Sequence, residues 1–143
     1  MTLMGYIEEQ TLRAIVRVNV IGASQEAILN LEIDTGAGPE LILSEEWSDW
    51  LGLPTGENIR VTLADGSKTL AVKGLAEIVW FDAKVTIEVA VFGGESNFVL
   101  PGVRHAGVRP HGLIGRKLLR DASLTIDYPS RRVILNKAPG PGA

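Results

Sequence analysis

The chain contains no cysteine, which removes disulfides, thiol nucleophiles and cysteine metal sites together. Its two histidines, His105 and His111, are too few and too irregularly spaced for a zinc site. They read as a loop residue and a groove-lining residue. Gly36-Ala37-Gly38 lacks the following Lys-Ser/Thr and the helical pattern of a phosphate loop, and no Gly-x-Ser-x-Gly elbow occurs. Carboxylates remain. Most of the 17 acids fall at turns, at a helix start or on exposed strand faces, where solvation explains them. Asp34 differs, because the apolar run Leu31-Glu32-Ile33 delivers it directly into Thr35-Gly36-Ala37. A glycine two places on lets backbone approach the carboxylate closely, having no Cβ to block the way. An aspartate also serves turns in its own right, so the triplet needs support from the rest of the chain.

The elements that must position Asp34 are mostly strands. Leu12–Val20 and Ala27–Asp34 are rich in β-branched residues and read as a hairpin whose second arm ends at the carboxylate. Glu40–Leu43 is a short strand. Ser44 followed by Glu45 and Glu46 marks a helix start, Trp47, Trp50 and Leu51 give it an apolar face, and Gly52 and Pro54 stop it. Asn58–Ala64 and Ser67–Phe81 are arms around Asp65-Gly66, a strong hairpin signal. Ala83–Phe92 alternates as a strand, and Phe98–Leu100 is a short apolar strand closed by Pro101-Gly102. Arg116–Arg120 reads as a short helix, and Ser123–Tyr128 with Arg132–Asn136 form a closing hairpin. The pattern predicts an all-β fold, a barrel or sandwich with one or two short helices, in a single domain over 1–137. The tail at 138–143, mostly Pro, Gly and Ala, is expected to be disordered.

Composition fits an ordinary globular chain, 45% hydrophobic and 22% charged over 143 residues. The net charge of −3 provides no basic surface for nucleic acid or an anionic membrane. No apolar run approaches the roughly 20 residues of a membrane helix, and the N-terminus lacks a signal layout, so the cytoplasm is the expected setting.

Two further features raise the weight of Asp34. The hairpin at Asp65-Gly66 lies about 30 residues downstream, and Leu113-Ile114-Gly115-Arg116-Lys117-Leu118-Leu119 lies about 80 residues downstream. In the order and spacing of these motifs the chain, from about Ala27 to Leu135, resembles the retropepsin-like aspartic proteases, as a cellular or bacterial member. The resemblance implies a closed acid-protease β-barrel with a flap hairpin, and an aspartic endopeptidase that needs no cofactor and no metal. It implies that Asp34 is the catalytic aspartate, that the Thr35 hydroxyl grips the equivalent loop of a partner subunit, and that Gly36 donates its N–H to the carboxylates and meets substrate through its carbonyl. Val61–Val72 would be the flap, with Ala64, Asp65, Gly66 and Ser67 at its tip. Ala37, Gly38, Pro110, His111 and Leu113 would contact a polypeptide substrate, and Gly115 and Arg116 would support the dimer. The terminal strands within Leu124–Asn136 would contribute to the interface.

The chemistry agrees with that assignment. Peptide hydrolysis by carboxylates needs two that share one proton, since close like charges do not both ionise. The chain has one Asp-Thr-Gly and no length for a second lobe, so a two-fold homodimer is required to bring two Asp34 side chains together. Flanking subsites would favour apolar side chains, given Leu113 and the flap arms. Some positions depart from the family pattern. Gly38 stands where viral relatives carry an acid that pairs with the helix-start arginine, so Arg116 needs another partner. Ala37 brings no hydroxyl to the dyad, which implies a mildly acidic to near-neutral optimum. The flap tip is polar. The residues before Leu12 and between Phe92 and Gly112 exceed a minimal viral subunit and would lengthen the interface or shield the groove. The alternative is a dimeric peptide-binding or scaffolding module of the same fold without turnover.

Overall fold

The structure, a computed structural model, describes residues 1–93, 98–103 and 109–139. Among these residues the elements run β1 (Thr2–Ile7), β2 (Ala14–Ile21), β3 (Glu26–Ile33), β4 (Leu41–Ser44), α1 (Glu45–Leu51), β5 (Thr55–Thr62), β6 (Lys68–Trp80), β7 (Ala83–Phe92), β8 (Gly112–Ile114), α2 (Arg116–Leu119), β9 (Ala122–Asp127) and β10 (Arg132–Lys137). Strands account for 55% of the described residues and helices for 8%. Six strands close into a barrel in the order β6-β7-β4-β8-β3-β2, sealed where Val20 and Ile21 of β2 pair with Ile78 and Glu77 of β6. The all-β fold expected from alternation is therefore present, and of barrel and sandwich it is the barrel.

Inward positions explain why the ring closes. Val16, Val18 and Val20 of β2 alternate with Arg17 and Asn19, and Leu29 and Leu31 of β3 face them. These five side chains, with Leu41, Leu43, Val89 and Ile114, are at most 2% exposed. Period-two alternation places such residues on one face of each strand, and their removal from water drives the closure. A second, smaller cluster lies outside the ring, where Ala37, Ile42 and Ala90 meet Val61 and Ala71 of the β5–β6 hairpin.

Helix α1 begins as its sequence requires. The Trp47 N–H donates to the Ser44 Oγ at 3.3 Å, and Gly52 ends the helix in the left-handed region at φ 73°. Ser44 is fully buried, so its hydroxyl has no water to replace this role. Ser44→Ala is expected to cost about 1 kcal/mol, read as a fall in denaturation midpoint with an unchanged slope. Of the two tryptophans, Trp47 is buried while Trp50 is 41% exposed, so the apolar face is narrower than its spacing implies.

The residues before Leu12, which carry no strand signal of their own, hold β1, which lies within the sheet, paired along its length with β10 and at Tyr6 and Ile7 with β2. One reading is corrected. Phe98–Leu100 forms no strand. The Val99 N–H donates to the Pro110 carbonyl at 3.0 Å, and a proline has no N–H to return the bond, so no ladder grows from that contact. At the other terminus, the Ala138 N–H donates to the Asp121 carbonyl at 2.8 Å, so the expected tail is tied down at its first residue. The stretch 140–143 lies outside the described residues. No helix among the described residues is long and apolar enough to cross a membrane.

Candidate active site

Strand β3 carries Asp34 to the rim of the barrel. Its parallel partner β8 sets Ile33 beside Ile114, and the Asp34 N–H extends the ladder by one bond to the Ile114 carbonyl at 2.9 Å. The chain then turns sharply, with the Ala37 N–H donating to the Asp34 carbonyl at 3.1 Å. The Gly36 N–H donates to the Asp34 carboxylate at 3.0 Å, which fixes the side chain over its own loop. Asp34 and Gly36 are half-buried, and Thr35 is exposed. A backbone donor aimed at a carboxylate fixes its direction.

The second motif secures this loop from outside. The first N–H groups of α2 have no side-chain cap, since Gly115 stands at the cap position. They donate to the loop instead, Arg116 N–H to Ala37 carbonyl at 2.8 Å and Lys117 N–H to Gly38 carbonyl at 3.4 Å. Donors that a helix start always leaves open are thus met by the chain that follows Asp34. The Arg116 guanidinium donates through Nη1 to the carbonyls of Thr35, at 3.3 Å, and Gly36, at 3.0 Å. This supplies the partner that Gly38 cannot offer. Gly115 is required by contact. A Cβ there would stand 1.9 Å from the Pro39 carbonyl oxygen. Leu118 and Leu119 anchor the far side of the helix in the main core.

The β5–β6 hairpin closes over the same loop. Its turn spans Ala64, Asp65 and Gly66, with Gly66 N–H donating to the Leu63 carbonyl and Leu63 N–H to the Ser67 carbonyl. Gly66 adopts φ 85°, so Asp65-Gly66 forms a three-residue turn ending in a left-handed glycine, not a two-residue one. The Asp65 carboxylate accepts from the Ser67 N–H and hydroxyl, which hold its pKa below the usual range. Ala64 lies directly on Gly36. A Cβ built on Gly36 would stand 2.7 Å from that of Ala64. Asp34, Thr35, Gly36, Gly38, Ala64, Gly115 and Arg116 are therefore brought together, with Asp65, Gly66 and Ser67 at the exposed tip.

Three of the expected groove residues are placed differently. His111 exchanges bonds with Asn30, donating its N–H to the Asn30 carbonyl and accepting the Asn30 N–H on Nδ1, both at 2.8 Å. Its ring meets Trp47 edge-on at 5.4 Å. Asn30 precedes Asp34 by four residues, roughly 13 Å of strand, so Pro110 and His111 stand near the middle of β3 and not at its Asp34 end. They join the α1 side of the barrel, not the Asp34 rim. Ala37 is 2% exposed and packs beneath the hairpin, so its side chain is closed to a ligand. Leu113 is half-buried against that same cluster. His105 lies outside the described residues.

Glu32 is a neighbour the motif search missed. It precedes Asp34 by two residues, and period-two alternation alone puts both carboxylates on one face. Arg13 Nε stands 3.6 Å from its carboxylate. Burial raises its pKa above the ordinary 4.5, Arg13 opposes the rise, and the Asp34 charge adds to it. A raised carboxyl pKa means that the folded state binds more protons than the unfolded one as pH climbs through that range. Stability is then lost as pH rises above about 4.5 and does not return at higher pH. Glu32→Gln is expected to be more stable than the parent at neutral pH and equal to it below about pH 4, as denaturant titrations across pH would read. Among the described residues no group of three or more His, Cys, Asp or Glu is placed to hold a metal ion.

Comparison of the chain with models of known families, with curated proteins and with solved structures finds no match.

Proposed function

We propose that the chain is an aspartic endopeptidase of the retropepsin type, working as a two-fold homodimer on extended polypeptide. The observation that carries this reading is the Asp34 carboxylate held at a strand end by the Gly36 N–H, in a loop braced by Arg116. Such bracing fixes the carboxylate's direction, which a carboxylate serving only its own turn does not require. A single chain presents one such group. A second copy, related by a two-fold axis through the Asp34 rim, would supply the other, with Thr35 exposed to meet it.

In the dimer the two Asp34 carboxyls share one proton. The ionised one takes a proton from a water held between them as its oxygen attacks the peptide carbonyl carbon. The protonated one donates to the carbonyl oxygen, giving a tetrahedral intermediate. Return of a proton to the amide nitrogen releases the two fragments. The hairpin would lift from Gly36 to admit substrate as a strand and close over it, excluding water. This reading needs neither metal nor cofactor, nucleic acid nor membrane, and its setting is the cytoplasm. Incubation of the protein with a diverse peptide pool across pH, beside Asp34→Asn and read by mass spectrometry, tests it. Products that depend on Asp34 are expected, and their absence at every pH overturns the reading.

A further inference from the structure

A cavity of about 260 Å³ opens beside the Asp34 loop, between Gly38, strand β5, strand β7 and the start of α2. Five charged side chains line it: Arg60, Arg116, Lys117, Glu40 and Glu88. The two acids are engaged. Glu88 meets Lys73 Nζ at 3.0 Å, and the Glu40 carboxylate accepts the Glu88 N–H at 3.0 Å. The cations are not neutralised. Arg60 and Lys117 carry no ion pair among the described residues, and both are exposed at the mouth. Arg116 uses Nη1 on the Thr35 and Gly36 carbonyls. Its Nη2 faces Gly38, where even a built Cβ would stand 3.7 Å away. The glycine therefore leaves a guanidinium edge open to the cavity, where an acidic side chain would have covered it. A planar fork of this kind matches a carboxylate, and two further cations nearby favour the same charge.

We infer that this cavity is a subsite for an acidic side chain of the substrate, Glu or Asp, a few residues from the bond that is cut. The inference rests on the endopeptidase reading for the identity of its ligand. It adds a charged specificity position outside the apolar ones expected next to the scissile bond. Residues 59–62 of the hairpin form one wall, so a peptide lying under the hairpin passes the cavity. The surrounding Glu40 and Glu88 would repel an acid bound too deep, which limits the contact to the Arg116 edge and the mouth.

The experiment uses a matched synthetic peptide pair of extended sequence, identical except for Glu or Gln at one flanking position, with the parent and the double variant Arg60→Gln/Lys117→Gln. Cleavage is followed as kcat/KM. Binding of fluorescein-labelled versions to Asp34→Asn, with and without the double change, is followed by anisotropy at two salt concentrations. The parent is expected to prefer the Glu peptide about fivefold, mainly through KM, with the preference halved or lost in the double variant and at high salt. Arg60→Glu/Lys117→Glu is expected to reverse it in favour of a Lys peptide. Equal cleavage and equal binding of the pair by the parent overturn the subsite and leave the endopeptidase standing. Charge-dependent binding without cleavage of any peptide supports the subsite and overturns the endopeptidase. Neither binding nor cleavage overturns both.

Discussion

On the endopeptidase reading, Asp34→Asn is expected to lower peptide cleavage by about a thousandfold or more and to leave the fold and the proposed dimer intact. General acid–base catalysis at a positioned group contributes about 100- to 10,000-fold, and in the proposed dimer one residue type would supply both the acid and the base. Asn retains the shape and still accepts the Gly36 N–H through its amide oxygen, so the loop keeps its bond. It cannot take a proton from water. The same variant carries a test of the two-fold arrangement. When Asp34→Asn is mixed with an equal amount of parent and the subunits exchange, about half of the parent chains enter mixed dimers. A mixed dimer holds one carboxyl and one amide, so total activity falls to about half, and an excess of variant drives it toward zero. Activity that simply tracks the parent concentration would show that each chain works alone. A parent that binds peptide and never turns it over would identify the scaffolding alternative.

Gly115→Ala is the second large effect, and it acts without touching the chemistry. The glycine sits at φ −101° and ψ −179°, which any residue adopts, so its need is one of space. The added methyl would meet the Pro39 carbonyl oxygen at 1.9 Å and the Ala37 carbonyl oxygen at 2.9 Å. Both obstacles are backbone and do not rotate away. Admitting the methyl requires 37–40 to withdraw, which breaks the Gly115–Glu40 and Arg116–Ala37 bonds and loosens the loop that carries Asp34. The expected cost is about 3 kcal/mol, or a melting temperature lower by about 10 °C, together with loss of most activity. Gly56→Ala is the control, since nothing lies within 4 Å of a Cβ there, and it is expected to shift stability by less than about 0.5 kcal/mol. If both variants melt alike, the packing account of Gly115 fails.

Much of the architecture was legible because local signals and global packing agree. Alternation in β2, β3 and β7 marks the inward faces, and Ser44 and Gly52 mark the ends of α1 within a residue. The Gly115-Arg116 pair was legible as a motif, but its reason was not. Only in three dimensions do the Thr35 and Gly36 carbonyls come within reach of the guanidinium. Strand β1 was missed because Thr2-Leu3-Met4-Gly5-Tyr6-Ile7 does not alternate, and its place depends on β10, about 130 residues away. Phe98–Leu100 is strand-like in composition, yet the Val99 N–H meets the carbonyl of a proline, which has no N–H to extend a ladder. His111 is a groove residue by the family resemblance, which sets it four residues before Gly115. The parallel register of β3 and β8 turns that distance into separation along the barrel. Glu32 needed no structure, only the alternation already applied to its neighbours.

The bonds that complete the Asp34 loop come from residues about 80 positions later in the chain. Contacts of such separation form late, since the intervening chain must first be ordered. A ribosome adding about 5 to 20 residues per second takes roughly 4 to 16 seconds to travel from Asp34 to Ile114. During that interval the nascent chain holds its aspartate without strand β8, without the Arg116 brace and without a partner. The Asp34 loop is therefore completed only after Ile114 and Arg116 have been made. The topology itself thus delays completion of the loop during synthesis, and a fragment ending before 112 would hold Asp34 without β8 and without the Arg116 brace.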